Sequence, residues 1–349
     1  MTSQRPIVRL VALVGVAVSA VASPALAQGC PELVGQWPDD APNLVAVEEP
    51  HAYVGREADS TFMVADISDP ASPEVVGNLD FAYNLSDLTA AYGYVLVAAG
   101  DFFVVDVSTP SLPHIEGSLG LLYTSYIDVS GHYAYLTYSF PLGLHIVDMS
   151  VPSSPAETGL IEILFDGHFT DVVVAGEYAY LPWANQFGSP PSGLKVIDVH
   201  DPSAPFEAGS IDFSNDWVGG FAVHGGYAYL GTLDGFRVID VSTPTVPVEV
   251  GFVNMPTLMP GETTVAGGLA WVACWEGGLR VMDLKDPLSP VEVGSFVAPE
   301  MINYVSLGND YAVAAAYQSE FLVFEQCELP VFADGFESGD TSAWSSTVP

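Results

Sequence analysis

The stretch "GLKVIDVHDP", Gly193 to Pro202, decides the fold because close copies of it recur along the chain. "FFVVDVSTP" begins at Phe102, "GLHIVDMSVP" at Gly143, "GFRVIDVSTP" at Gly235 and "GLRVMDLKDP" at Gly278. The motif aspartate falls at Asp66, Asp106, Asp148, Asp198, Asp240 and Asp283, with Glu325 as a degenerate seventh. Successive spacings are 40, 42, 50, 42, 43 and 42 residues, so the fourth unit carries an insertion. Self-similarity at this period indicates a solenoid or a propeller.

Each unit holds four short apolar runs. In the fourth they are "DVVVA" from Asp171, "YAYLP" from Tyr178, "LKVIDV" from Leu194 and "FEAGSI" from Phe206. Val, Ile and Tyr fill them while Gly, Pro and Asp separate them, which is strand and turn chemistry. Four strands per repeat describe one blade of a β-propeller. Gly131, Gly176 and Gly225 stand where a tight hairpin joins the first two strands. The run Asp240-Val241-Ser242-Thr243-Pro244 offers side-chain acceptors to turn amides and a proline with preset φ between the third and fourth strands. The repeated aspartates are therefore read as structural, since a catalytic role would need six copies of one site.

The ends complete the count. "CPELVGQW", Cys30 to Trp37, resembles the fourth-strand segments "SPEVVGNL" at Ser72 and "SPVEVGSF" at Ser289, yet no blade precedes it. The last unit, "YAVAAAYQSEFLVFEQC", stops at Cys327 after its third strand. Residues 30–37 are thus predicted to complete a seventh blade and close the ring. Cys30 and Cys327 meet at that junction, where a disulfide closes a loop of nearly the whole domain and stabilises it by restricting the unfolded chain. Cys274, between apolar strand residues, is expected to be a buried small hydrophobe.

The segments "HIVD", "KVID", "FVVD" and "RVID", each followed by a proline-containing turn and a Val-Gly or Ala-Gly pair, resemble the LVIVD repeat family. The resemblance covers roughly residues 30–328. It implies an exported bacterial or archaeal β-propeller and supplies no catalytic residues.

The first 27 residues carry Arg5 and Arg9, an apolar run from Leu10 to Ala22 and the small-residue site Ala25-Leu26-Ala27, the pattern of a signal peptide. The run is shorter than the roughly 20 residues that span a bilayer, so no transmembrane anchor is expected. The domains expected are a signal peptide at 1–27, a propeller at 28–328 and a C-terminal tail at 329–349. The tail's "DGFESGDTSAWS" resembles short C-terminal segments of other exported bacterial proteins, so sorting or attachment is one reading and a plain acidic tail the other. The expected location is extracellular or at the cell surface, with the periplasm as the alternative. A formal charge of −36 repels nucleic acid and anionic lipid, leaving an extracellular protein or glycan as the partner class.

No Gly-x-Ser-x-Gly, His-Glu-x-x-His, P-loop or Cys-x-x-Cys signature is present. In a propeller, the loops before the first strand and between the second and third emerge on one face. Here they carry Tyr83, Tyr123, Phe165, Phe169, Phe213 and Trp217, then Tyr138, Phe140, Trp183, Phe187, Trp275 and Tyr317, with the extra length of the fourth unit beside them. Aligning the units puts Leu44, Asp87, Tyr126, Asp171, Gly220, Glu262 and Tyr304 in one ring at the channel mouth. Tyr126, Trp183, Trp217, Trp275 and Tyr304 are the candidate ligand-binding residues. Asp87, Asp171 and Glu262, with Asp166 and His168 nearby, are candidates for a divalent cation such as Ca²⁺, and no other cofactor is implied. A solvated polar rim is the competing reading of that ring.

A binding and interaction scaffold follows from the repeated frame and the aromatic, acidic face. A hydrolase or lyase with a metal or carboxylate site at the channel mouth is the alternative, and a spacer attached through its tail is a third reading.

Overall fold

The computed structural model describes residues 30–38, 42–56, 59–121, 123–139, 142–163, 167–185, 192–213, 217–255, 261–298, 300–317 and 319–327. The signal segment and the tail lie outside these residues, as do Asp166, Phe140, Phe165, Phe187 and the insertion at 186–191.

Seven antiparallel sheets follow one another along the chain, and every described element is a strand. Blades one to six start with the strands Leu44–Glu48, Asp87–Ala91, Thr124–Ser130, Gly167–Phe169 continued by Val173–Ala175, Val218–His224 and Thr263–Ala266. Blade seven starts with Ile302–Leu307 and takes its outermost strand, Glu32–Pro38, from the other end of the chain. That strand runs antiparallel to Glu320–Glu325, with Leu33 opposite Phe324 and Trp37 opposite Phe321. First strands of neighbouring blades pack on one another all the way round, including blade seven on blade one. The ring is closed.

The Val-Ile pair of the motif now has a reason. A blade is covered on both faces by its neighbours, so a strand in its middle reads as a continuous apolar run. Val196 packs with Phe221, Leu230 and Ile239 of blade five, whereas Ile197 packs with Tyr135, Leu144 and Ile146 of blade three. The aspartate that follows leaves the core and forms the turn: Asp66, Asp106, Asp148, Asp198, Asp240 and Asp283 each accept from the backbone N–H two residues on, at 2.7–3.0 Å.

The fourth-strand glycine has a steric cause. A Cβ on Gly77, Gly117, Gly159 or Gly209 would overlap the carbonyl oxygen of Pro110, Pro152, Pro202 or Pro244 in the turn of the next blade. Gly251 meets Leu288, Gly294 meets Cys30 and Gly35 meets Pro70 in the same way, so the contact passes through the closing strand. Cys30 and Cys327 form a disulfide, their Cα atoms 5.7 Å apart, and Cys274 is a buried free thiol.

Candidate functional site

The channel along the ring axis widens into two cavities. The outer one, about 590 Å³, opens on the face that carries the loops before the first strands and after the second strands. Trp217, Trp275, Tyr317, Tyr126 and Tyr304 wall it, with Asn43, Asn84 and Asn303 between them. The inner one, about 300 Å³, is a throat lined by Asp87, Asp128, Asp171 and Glu262. Tyr126, Glu262 and Tyr304 line both, so the two adjoin.

Irregular backbone aims these side chains. The ladder between first and second strands slips between Thr124 and Ile127 in blade three, Val218 and Phe221 in blade five, and Ile302 and Tyr304 in blade seven. In blade four it breaks outright between Phe169 and Val173, opposite Pro182, which has no N–H to give. Tyr126, Asp171, Gly220 and Asn303 all fall in these bulges, which turn side chains away from the regular alternation. The N–H of Tyr126, freed from the ladder, donates to Thr137 Oγ1 at 3.1 Å. Gly220 is glycine because a Cβ there would overlap the Gly261 carbonyl oxygen of blade six.

The throat acids divide into two kinds. Asp87 accepts from the N–H of Leu88 at 2.8 Å and of Ile127 in the next blade at 2.7 Å. Asp128 does the same with Val129 at 2.7 Å and Val174 at 2.6 Å. Both are interblade clasps with each oxygen used. Asp171 accepts from Val172 at 2.6 Å through Oδ1, while its Oδ2 is buried without a partner. The Glu262 carboxylate takes the Thr263 N–H; its backbone N–H donates to the Asn303 carbonyl of blade seven at 3.3 Å, but among the described residues no N–H of a neighbouring blade donates to its carboxylate. Thus Asp171 and Glu262 are the acids with capacity to spare.

All four feel the enclosure of the channel while keeping some surface on its lumen. Burial, only partly offset by the Ile127 and Leu88 N–H groups, pushes Asp87 up to about 7. Asp128 rises to about 6 for the same reason. Burial, then repulsion from Asp87, takes Glu262 to about 8, and burial followed by repulsion from Glu262 and Asp87 lifts Asp171 well above the carboxylate range. Burial and the nearby acids raise the Tyr126 and Tyr304 hydroxyls too, so both stay protonated donors.

At the mouth, Trp275 holds φ at +45°, a region costly for a residue with a bulky side chain. Paired hydrogen bonds with Ile302 fix it there, at 2.8 and 3.1 Å, and its ring lies 6.2 Å from that of Tyr317. Its Nε1 is buried without a partner. Asn303, 7% exposed, donates through Nδ2 to the Asn43 carbonyl at 3.3 Å and leaves Oδ1 buried and unpartnered.

The seven-blade ring brings Tyr126, Trp217, Trp275, Tyr304 and Glu262 to one cavity and Asp87, Asp171 and Glu262 to the throat beneath it. Asp87 and Asp171 thus line the throat alone, while Glu262 borders both cavities. Trp183 lies elsewhere: it is 7% exposed in the core between blades three and four, within the second strand Tyr178–Asn185. Phe169, Phe213 and Tyr138 are buried as well, whereas Tyr83 and Tyr123 are exposed and line neither cavity. His168 lines the mouth. Among the described residues, the one trio with ligand atoms all within 4.8 Å of one another is Asp106, His114 and Glu116, on the surface of blade two.

A family described as "LVIVD repeat" matches residues 41–80, 86–119, 123–162, 166–213, 218–255 and 262–298. The chain belongs to the LVIVD repeat family. The six matched units of this LVIVD-repeat protein are blades one to six; the seventh, assembled from both chain ends, is the one the family pattern does not reach. Among curated proteins, none matches the sequence. Solved structures with similar architecture include a chain of a mitotic checkpoint complex (TM-score 0.67, 12% identity, 92% of this chain and 100% of that one). A functionally unknown protein from Desulfotomaculum acetoxidans DSM 771 gives 0.65 at 13% identity over 83% of this LVIVD-repeat chain and 95% of its own. The computationally designed Ika8 protein gives 0.62 at 13% identity over 85% and 100%. At such identities the likeness concerns the fold alone.

Proposed function

We propose that this protein is an exported binding scaffold that takes its ligand at the aromatic mouth of the channel. The observation that carries the reading is a cavity of about 590 Å³ walled by Trp217, Trp275, Tyr317, Tyr126 and Tyr304, with a buried donor, Trp275 Nε1, and a buried acceptor, Asn303 Oδ1, both without partners. Buried polar groups are nearly always paired, so orphans beside a cavity indicate a missing partner. Amphipathic aromatic walls with few fixed polar groups suit a glycan ring or a peptide side chain. Export agrees with the Cys30–Cys327 disulfide and with the signal pattern at residues 1–27, and the tail at 329–349 would serve sorting or attachment. No helix among the described residues is long and apolar enough to cross a membrane.

The test is a glycan and extracellular-protein array probed with the purified protein and with Trp217→Ala and Trp275→Ala. Ligands lost in both variants support the mouth; ligands retained in both remove it. A hydrolase or lyase is the second reading, favoured by the raised carboxylates of Asp171 and Glu262. It requires turnover that disappears in Glu262→Gln.

A further inference from the structure

We propose that the mouth and throat together bind an organic cation, whose apolar stem lies against Trp217, Trp275 and Tyr317 while its ammonium or guanidinium group points down to Glu262 and Asp171. The inference rests on the mouth being the binding site and names the ligand class.

Adjacency comes first. Tyr126, Glu262 and Tyr304 belong to both cavities, so a group held at the aromatic walls stands beside Glu262, with the throat directly beneath it. The second support is an imbalance of acceptors. Asp171 Oδ2 and Asn303 Oδ1 are buried without donors, the first in the throat and the second at the mouth. Among the described residues, no Lys, Arg or His lines the throat. Lys195, Arg237 and Arg280 are engaged on the blades instead, with Glu207, Glu249 and Glu292. An uncompensated buried acid is costly unless it is protonated or paired, and a ligand bearing several N–H donors supplies what the walls lack.

Spacing selects among cations. Asp87 and Asp128 spend both oxygens on backbone N–H groups, which leaves Asp171 and Glu262 for a guest. The throat acids do not form a trio with ligand atoms inside 4.8 Å, whereas Ca²⁺ gathers six to eight oxygens at about 2.3–2.6 Å. A guanidinium or ammonium group, with donors that diverge, spans wider acceptors. Aromatic faces above the acids add cation–π attraction, strongest on Trp. The field of a chain at −36 concentrates cations at a low-dielectric channel.

The experiment is calorimetric titration of the purified protein with agmatine, cadaverine, the neutral 1,5-pentanediol, CaCl₂ and cellobiose, followed by a Gly-Arg-Gly peptide. Agmatine or cadaverine should bind and pentanediol should not. Glu262→Gln and Asp171→Asn should each weaken amine binding at least tenfold, with Asp106→Asn on the outer surface as an unchanged control. Trp217→Leu, which removes an aromatic face from the wall, gives an independent severalfold loss should either acid variant fail to fold. Peptide binding with the same dependence on Glu262 assigns the cation to a protein side chain; free amine alone assigns a small metabolite. Calcium binding without amine binding, or amine binding indifferent to Glu262 and Asp171, overturns the inference. Cellobiose or array ligands that depend on Trp217 and Trp275, with no amine binding, overturn it while leaving the aromatic mouth intact.

Discussion

Raising the pH should destabilise this protein through the throat, in a range where most acidic proteins are indifferent. The facing ionisable groups are Asp87, Asp128, Asp171, Glu262 and the hydroxyls of Tyr126 and Tyr304. In the unfolded chain the carboxyls titrate at 3.8 for Asp and 4.5 for Glu; folded, Asp128 does so at about 6, Asp87 at about 7 and Glu262 at about 8. The folded state therefore holds more protons than the unfolded one between those limits, and stability must fall as pH climbs through them. Lifting Asp87 alone from 3.8 to about 7 corresponds to ~4 kcal/mol lost by the alkaline end. Above about pH 5, Asp87 supplies ~3 kcal/mol of this and Asp128 ~1 kcal/mol; Asp171 and Glu262 repel each other, so their terms do not add, and a total of ~5 kcal/mol is the expected order. For a domain of this size that is a fall of roughly 8 °C in Tm. The turn aspartates act with the opposite sign and at lower pH: the N–H and hydroxyl of Ser68 hold Asp66, and the hydroxyl and N–H of Ser108 hold Asp106, below the ordinary value, and that stability is lost only on acidification. The assay is urea unfolding at steps from about pH 5 to about pH 9, repeated at about 0.5 M NaCl, where surface repulsion is screened and a buried throat is not. A midpoint that does not fall would refute the reasoning, as would a fall abolished by salt or one that is undiminished in an Asp171→Asn, Glu262→Gln double variant, which keeps only the Asp87 and Asp128 contributions.

Three further outcomes are expected. Cys30→Ser should lower stability by about 5–6 kcal/mol in the chain-entropy model, because the bond closes a separation of 297 residues; equal urea midpoints for the oxidised wild type and the variant would contradict it. Gly220→Ala should cost ~1–3 kcal/mol or more through overlap with the Gly261 carbonyl, read as a lower Tm with an altered mouth in binding assays. Asp148→Ala should cost only ~1 kcal/mol, since its loss frees the exposed Ser150 N–H to water, and should leave mouth binding unchanged.

The fold was legible because its rules repeat. Burial on both faces writes the Val-Ile pair, an Asx turn writes the aspartate, and the neighbour's turn carbonyl writes the fourth-strand glycine, each once per blade. Chemistry at the channel was less legible because it depends on partners about 40 residues away. Asp87 and Asp171 occupy aligned positions, yet one is a clasp onto Ile127 and the other keeps a free oxygen. Asp128, two residues beyond Tyr126 on a slipped strand, escapes any alignment by strand position. Asn43, Asn84 and Asn303 carry no motif at all. Trp183 did leave a signal in the segment that reveals the repeat. It sits across from Gly193, as Tyr138 sits across from Gly143, and in both pairs the aromatic ring covers the face that the glycine leaves bare. A glycine opening the third strand thus marks its aromatic partner as core.

The irregular first strands argue that the channel is more than a by-product of ring closure. A propeller needs its second, third and fourth strands to pack, and there the seven blades agree. The first strands instead slip in blades three, five and seven and break in blade four, at the level of Tyr126, Asp171, Gly220 and Asn303. Each slip gives up ladder hydrogen bonds, and Trp275 adds backbone strain of ~1–3 kcal/mol in a conformation held by Ile302. Packing alone gives no return on these costs, because regular first strands exist in blades one and two of the same ring. What the irregularities do accomplish is placement: they set Tyr126, Asp171 and Asn303 on the lumen and hold an indole with an unpaired N–H beside them. Local violations of otherwise consistent rules concentrate where a protein works, and here they concentrate on one channel.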